Sequence, residues 1–564
     1  ARGLYEAGVR LASSYPGTPS TEITEEAAKF DEIACEWAPN EKVSAEVAAG
    51  ASFAGARSFC AMKHVGLNVA ADPFFTMSYI GVNGGMVLAV ADDPGMHSSQ
   101  NEQDSRNYAI GAKVPMLEPA DSSECKEFTK LAYSLSEEYD TPVVLRLTTR
   151  ISHSRSLVEL CDREEHELIP YQKDPAKNVM LPAFAKKKHP MVEERTAALT
   201  KWAESSEINR IELNDTSIGI IAAGACYQYA KEAMGENASY LKLGMIHPLP
   251  VDLIKRFAEK VDTLYVIEEL DDIIETHCRK NGIPVIGKDL FPRCGEFNQQ
   301  LIRELLTGEK LSRKALKEEI PMRPPVMCCG CPHRGLFYAL KRLKVYVSGD
   351  IGCYTLGASA PLAMMDTCVC MGASVSALHG YNKALGAQSE KKSVAVIGDS
   401  TFMHSGITGL VDIAYNATNS VVIILDNSIT GMTGHQQNPT TGYNIKGDPA
   451  SKVCLEDLCK AVGIPNVRVC DPYDLKETMR VIKEELDSDG PSVVISRRPC
   501  ALLKYVKHNP PLKVDSEKCI GCKACLSIGC PAISIKEGKA AIDHTQCVGC
   551  GVCTGLCAKN AIVE

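Results

Sequence analysis

Eight of the chain's 25 cysteines crowd into its last 46 residues. They form two runs, "CIGCKACLSIGCPAI" from Cys519 and "CVGCGVCTGLCAKNAI" from Cys547. Thiolates at Cys-x-x-Cys-x-x-Cys spacing, each run closed by one more cysteine, are the ligand pattern of a protein carrying two 4Fe-4S clusters. In such proteins the first three cysteines of each run share a cluster with the last cysteine of the other. Cys519, Cys522, Cys525 and Cys557 are thus expected to hold one cluster, and Cys547, Cys550, Cys553 and Cys530 the other. Zinc is the alternative for such a thiol set. Two departures stand out: the first run has four residues instead of three before Cys530-Pro531, and the second reads Cys557-Ala558 where proline is usual. Clusters move electrons singly, so something upstream must generate them.

The stretch "VAVIGDSTFMHSGITGLVDIAYNATNSVVIILDNSITGMTGH" supplies a second chemical group. An apolar strand, Val394 to Ile397, delivers Gly398, Asp399 and Ser400 to the carboxyl edge of a sheet, where open α/β folds bind ligands. A helix should follow with Ile407, Leu410, Val411 and Ala414 on one face. The next strand then delivers Asp426 and Asn427 to the same edge. A hard divalent cation such as Mg²⁺ takes oxygen ligands in octahedral geometry and usually keeps phosphates and water among them. The Asp399 carboxylate, the Asn427 amide oxygen and the Ile429 carbonyl are the expected protein ligands, with room left for two diphosphate oxygens and a water. Gly398 and the glycines of "TGMTG" would let backbone N–H groups approach the phosphates, with Ser400 and Thr430 completing the lining. A Gly-Asp turn alone is more often structural; the Asp-Asn at the end of the following strand is what points to a cofactor.

Three α/β stretches and the tail must position these groups. Residues 1–155 read as one α/β unit, with "GGMVLAVADDPG" as strand and turn and "TPVVLRLTTR" as a closing strand. Residues 156–212 mix Pro, Lys and Glu in the manner of a connector, with Lys186, Lys187 and Lys188 a solvated face. A second α/β unit covers 213–318, built on "SIGIIAAGACYQYAKEAM" and "TLYVIEEL". A third covers 319–510 on "KSVAVIGDS", "NSVVIILDN" and "PSVVISRR", whose unbroken apolar runs suit a parallel sheet covered on both faces. Residues 511–564 repeat one cysteine unit twice, as a small two-cluster domain does.

Composition narrows the function. With 564 residues, the chain is long enough for several cores. A net charge of -9 offers no field to a nucleic-acid backbone or an anionic membrane. There is no long uninterrupted apolar run, and the opening residues lack the pattern of a signal peptide. A cytoplasmic protein is expected, and in that reducing compartment its cysteines are ligands and thiols instead of disulfides.

The Gly398-Asp399 turn followed by Asp426-Asn427 resembles the motif of thiamine-diphosphate enzymes, Gly-Asp-Gly followed by Asn-Asn, with Ser400 and Asp426 as substitutions that spare the metal ligands. More widely, "SYPGTPSTEI", "NEKVSAEVAAGASFAGAR", "MKHVGLNVAADP", "ADDPGMHSSQNEQDSR", "CCGCPHRGLFYAL" and "GDSTFMHSGI", in this order, resemble the large (alpha) subunits of the indolepyruvate branch of the 2-oxoacid:ferredoxin oxidoreductase family. The resemblance implies a multidomain α/β fold: a pyrimidine-binding thiamine-diphosphate domain over 1–155, the connector, a transketolase C-terminal-like domain over 213–318, a diphosphate-binding domain over 319–510, and an α+β two-cluster ferredoxin domain over 511–564. It implies an oxidoreductase that decarboxylates an arylpyruvate such as indolepyruvate with coenzyme A, giving aryl-acetyl-CoA, CO₂ and reduced ferredoxin. The cofactors would be thiamine diphosphate, Mg²⁺ and two 4Fe-4S clusters. The partners would be a smaller beta subunit and ferredoxin, in a dimer of heterodimers. Another 2-oxoacid such as pyruvate, a non-redox thiamine decarboxylase and an electron-transfer protein with vestigial α/β domains are the rival readings.

The family's residue roles carry over by position. A carboxyl group must hydrogen-bond N1′ of the aminopyrimidine, and apolar surroundings would raise its pKa and favour proton sharing. Glu46, with Ala and Gly at 48–51 and 54–56, is the expected partner, against the plain reading of a solvated helix glutamate. Thr18 of "YPGTPS" would approach the 2-oxoacid. His64 is a candidate acid-base or hydrogen-bonding group, with a core role the alternative, and Arg106 a candidate for the substrate carboxylate, with a surface role the alternative. In other members a Cys-x-x-Cys joins two later cysteines to hold a cluster beside the thiamine. Cys328, Cys331, Cys353 and Cys500 match that set, with structural thiols the alternative. Indolepyruvate subunits usually read "CPGCPHR" here, so Cys329 is a departure.

Overall fold

The structure, a computed structural model, describes residues 1–310 and 318–564, so the last residues of the expected 213–318 unit fall outside the described residues. It divides into two compact units, Ala1–Lys317 and Glu318–Glu564.

The first unit is built on two sheets. The larger uses β1 (Leu11–Ser14), β2 (Ala34–Trp37), β3 (Ser58–Lys63), β4 (Met86–Asp92), β5 (Met116–Leu117) and β6 (Val143–Thr148), all parallel. The smaller uses β7 (Arg210–Glu212), β8 (Ile218–Ala223), β9 (Ser239–Leu243) and, after β10 (Met245–His247), β11 (Thr263–Ile267). β10 leaves its sequence neighbours and pairs antiparallel with β5, giving the order β10-β5-β6-β4-β3-β1-β2. The strand "TPVVLRLTTR", expected to close the first sheet, therefore lies inside it. Every residue of β3, β4 and β6 is buried because helices cover both faces, which is why these strands read as unbroken apolar runs.

The stretch 156–212 is more ordered than a connector. It contains the helix Pro182–Ser205, which buries Val192, Leu199 and Ala203, and it ends in β7, antiparallel to β9. Pro190 sits inside that helix at the cost of one backbone hydrogen bond. The buried apolar residues at helical spacing outweigh the local Pro and Lys signals.

The second unit carries a six-stranded, wholly parallel sheet: β12 (Tyr346–Gly349), β13 (Thr367–Cys368), β14 (Ser393–Gly398), β15 (Val421–Asp426), β16 (Asn466–Cys470) and β17 (Ser492–Arg497), in the order β13-β12-β14-β15-β17-β16. Its tail holds two antiparallel pairs, β18 (Lys513–Val514) with β21 (Ile562–Val563), and β19 (Ile533–Lys536) with β20 (Lys539–Ile542). The helix after β14 buries Leu410 and Ile413 and leaves Val411 45% exposed, a rotation of the expected face. It follows a π-helical turn, Phe402–Gly406, which spaces it differently from a continuous α-helix.

Candidate functional site

In the second unit β14 and β15 run side by side, with Gly398 opposite Leu425, and deliver two polar turns to one edge. Asp399 opens a short helical turn, Asp399–Thr401, and is 2% exposed. Burial, reinforced by Asp426, pushes its carboxyl up to about 7. The Thr440 hydroxyl donates to Asp399 Oδ2 at 3.1 Å. The Thr430 hydroxyl donates to the Ser400 hydroxyl at 2.9 Å, and Asn438 Nδ2 donates to Thr430 at 3.3 Å. Asn427 accepts from the Ile429 N–H at 3.3 Å and Ile429 is buried. Asp399, Ser400, Asn427, Ile429 and Thr430 thus share one edge. Asn438 and Thr440 were not singled out by sequence reasoning, since "NPTTG" reads as an ordinary turn.

The two departures from the thiamine motif are accommodated. Asp426 is paired with Arg497 Nε at 2.7 Å and accepts from the Ser428 N–H at 3.1 Å, so its charge is already countered. Ser400 sits in a helical turn that any L-residue adopts. Gly398 differs from expectation: a Cβ there would lie 2.8 Å from the Tyr354 ring, so ring packing is what requires glycine. The donor set suits a hard cation. A buried carboxylate flanked by amide and carbonyl oxygens needs positive charge to stay ionised.

The tail gathers its thiols in two separate cavities. One is lined by Cys519, Cys522, Cys525 and Cys557. The other is lined by Cys530, Cys547, Cys550 and Cys553, together with Cys329 and Cys331. The crossed grouping expected from the spacing is therefore the grouping of the folded chain. Backbone N–H groups already point at the sulfurs: Ala540 to Cys519 at 3.4 Å, Leu512 to Cys547 at 3.4 Å and Ala561 to Cys557 at 3.2 Å. The N–H groups of Ala540 and Gly521 hold Cys519 below the usual thiol range. Such donors stabilise thiolates and the sulfurs of a cluster. Among the described residues no three His, Cys, Asp or Glu side chains close on one point as ligands of a single metal ion. Each thiolate of a cubane binds a different iron, so convergence on a point is not what a cluster requires.

A third thiol group lies at the edge beside Asn427. Burial pushes Cys353 up to about 11, with Cys500 and Cys328 near enough to add to the push, and burial pushes Cys331 up to about 12, with Cys353 and Cys328 nearby. The Cys500 N–H donates to the Asn427 carbonyl at 2.9 Å.

In the first unit, the carboxyl edge of β1, β3 and β4 collects Thr18, Lys63, His64, Asp92 and Asp93. A Cβ on Gly17 would lie 3.2 Å from Lys63 Cβ, which sets the Thr18 loop against the end of β3. His64 is 1% exposed; burial lowers its pKa, Nε2 lies 3.3 Å from the Asn101 carbonyl, and Nδ1 has no partner. It is a half-satisfied imidazole at this edge, where burial favours its neutral form. Asp93, against the push of burial, is held at about 2 by hydrogen bonds from Ser99, Thr149 and Ser98.

Two expectations fail in this unit. Glu46 does not have apolar surroundings: it stands on the open face of the helix Glu41–Phe53, its side chain 47% exposed and paired with Lys42. The small residues Ala45, Ala48, Ala49 and Ser52 face the sheet, and at about 100° per residue Glu46 points away from them. The buried carboxyl of this helix is Glu41, 4% exposed, lying so close to Gly66 that a Cβ there would sit 2.6 Å from its Oε1. Arg106 cannot receive a substrate carboxylate, nor is it on the surface. It is 1% exposed and fully engaged, with Asp104 at 2.6 Å, Glu268 at 2.5 Å, and the carbonyls of Glu269 and Asp271 at 3.0 and 2.9 Å.

Two family models match the chain. "Pyruvate flavodoxin/ferredoxin oxidoreductase, thiamine diP-bdg" covers residues 2–215, and "Thiamine pyrophosphate enzyme, C-terminal TPP binding domain" covers residues 350–496. An indolepyruvate oxidoreductase subunit IorA of Archaeoglobus fulgidus is 41% identical over 100% of this chain and 96% of its own length. The chain belongs to the indolepyruvate oxidoreductase subunits. The IorA proteins of Pyrococcus horikoshii and Thermococcus kodakarensis are each 40% identical, over 99% and 100% of this chain and 94% and 95% of their own lengths. As an indolepyruvate oxidoreductase subunit the chain is an oxidoreductase of 2-oxoacids that depends on thiamine diphosphate. No helix among the described residues is long and apolar enough to cross a membrane.

Proposed function

We propose that this subunit oxidatively decarboxylates arylpyruvates, indolepyruvate foremost, to aryl-acetyl-CoA and CO₂, and passes the electrons through two 4Fe-4S clusters to ferredoxin. The observation that carries the reading is the pairing, in one chain, of a thiamine-type edge at Asp399 and Asn427 with eight tail thiols sorted four and four into two cavities. A non-redox decarboxylase has no use for the second feature. An electron-transfer protein has no use for the first. The choice of arylpyruvate rests on relatives that are about 40% identical over the whole chain, whereas the 2-oxoglutarate synthase subunit KorA of Archaeoglobus fulgidus is 23% identical over 52% of it.

Thiamine diphosphate, when bound, supplies the electron sink that lets the substrate carboxylate leave as CO₂. The chain's own residues bind and orient. Asp399, Asn427 and the Ile429 carbonyl would hold the Mg²⁺ that carries the diphosphate, with Ser400 and Thr430 lining that edge. In the first unit Glu41 replaces Glu46 as the residue that would hydrogen-bond N1′, because it is the buried carboxyl beside the β1 and β3 edge. Thr18 would face the 2-oxoacid. His64, neutral and with Nδ1 unsatisfied, would serve as a hydrogen-bonding group. Because the relatives are named as subunits, a smaller beta subunit is the expected partner, in a dimer of heterodimers. A cytoplasmic, anaerobic setting suits the thiols.

The test is anaerobic reduction of a viologen dye by the purified protein with its beta subunit, indolepyruvate and coenzyme A. Dye reduction coupled to CO₂ release and thioester formation is expected. CO₂ release without dye reduction would sink the redox reading, and a preference for pyruvate over indolepyruvate would sink the substrate assignment.

A further inference from the structure

Two departures noted in the sequence, the additional residue before Cys530 and the additional cysteine at 329, meet in space. Cys329 and Cys530 line one cavity, and the Cys329 thiol donates to Gln546 Oε1 at 3.8 Å. Cys547, Cys550, Cys553 and Cys331 line that cavity too, so it holds six thiols where a cubane needs four. Arg334 fixes the juxtaposition. Buried and pinned at both ends, it donates to the carbonyls of Met327 and Cys328 on the segment leading to Cys329, and to those of Ile528 and Gly529 on the turn leading to Cys530. Gly330 lets the segment come this close, since a Cβ there would lie 2.3 Å from Val548 Cγ2. Cys331 lines the same cavity, but it lies among Cys353 and Cys328 and belongs with that other group.

We propose that Cys329 is a fifth, exchangeable ligand of the cluster held by Cys530, Cys547, Cys550 and Cys553, able to take over the iron of Cys530. The inference rests on the two-cluster reading above. The exchange is a thiol-for-thiolate substitution. With a cluster bound, Cys329 would take the place of Cys530 as ligand, and the proton that Cys329 gives up would go to the released Cys530 sulfur. Iron number, charge and oxidation level are unchanged, so no outside oxidant or reductant is needed.

The experiment compares the full chain, purified anaerobically, with its Cys329→Ala, Cys530→Ala and doubly substituted forms, by iron and sulfide content and by the electron paramagnetic resonance of the reduced protein. Each single variant should keep the parent's iron, about eight per chain for two clusters, and Cys530→Ala should show a shifted signal for one cluster. The double variant should lose about four irons. Alkylation adds an independent readout: Cys329 should be reactive in the parent and protected in Cys530→Ala. Loss of about four irons in Cys530→Ala alone, or their retention in the double variant, would overturn the inference. A parent chain with no 4Fe-4S signal would overturn the two-cluster reading itself, and with it this assignment.

Discussion

Two glutamates on one helix divide the roles of buried and solvated carboxyl. Glu41 and Glu46 stand on opposite faces of Glu41–Phe53, and only Glu41 has the burial that a proton-sharing partner of the cofactor needs. Glu41→Gln should lower turnover by about 100-fold or more, whereas Glu46→Gln should stay within about threefold of the parent, both read in the viologen assay. The family resemblance, a glutamate followed by small residues, selects Glu46 against the local reading of a solvated helix glutamate; which face those neighbours occupy appears once the helix is docked. Arg106 teaches the same lesson from the opposite side, since its carboxylate Glu268 lies far along the chain. Glu269, in that buried network, has its carboxyl pushed by burial from 4.5 to about 7. Between those pH values the unfolded chain has released a proton that the folded chain still binds, so this group's contribution to stability is full below about 4.5 and is lost as pH rises to about 7. Glu269→Gln should therefore flatten the pH dependence of urea unfolding across that window.

At the scale of elements the parallel strands were legible because burial on both faces leaves unbroken apolar runs, and β14 and β15 deliver Asp399 and Asn427 where those runs end. The helix Pro182–Ser205 and the edge strands β7 and β10 were not, because short or half-exposed elements carry weak periodicity and depend on what they pack against. The segment Cys328–Cys331 shows how finely one contact is set. Gly330→Ala adds a methyl 2.3 Å from Val548 Cγ2 at a φ of +69°, and should cost about 2 to 4 kcal/mol. Gly490→Ala, with a φ of +89° but open space around it, should cost about 1 to 2 kcal/mol. Limited proteolysis should accordingly release the tail earlier in the first variant and not in the second.

For the whole molecule, iron content sorts the thiols. About eight irons per chain means that the tail alone is loaded, and about twelve means that Cys328, Cys331, Cys353 and Cys500 hold a third cluster. The chain without its beta subunit should reduce dye more slowly than the assembled enzyme, and an equal rate would remove the need for a partner. Cysteine spacing names the same two sets of four thiols that line the tail's two cavities, since that spacing is written locally. The buried ion network of the first unit was invisible for the opposite reason: its members come from distant stretches.

That network and β10 bear on where this chain can be cut and when it can fold. A fragment ending at residue 215, where the first family match stops, would keep Arg106 but lose Glu268 and the carbonyls of Glu269 and Asp271, and would leave the edge of β5 bare. On the ribosome the same facts impose a wait. The amino-terminal sheet stays unfinished until Met245–His247 has emerged, and its buried guanidinium, paired only with Asp104 until then, lacks acceptors for its remaining N–H groups until Glu268 to Asp271 follow, so the first 270 or so residues mature together instead of one sheet at a time.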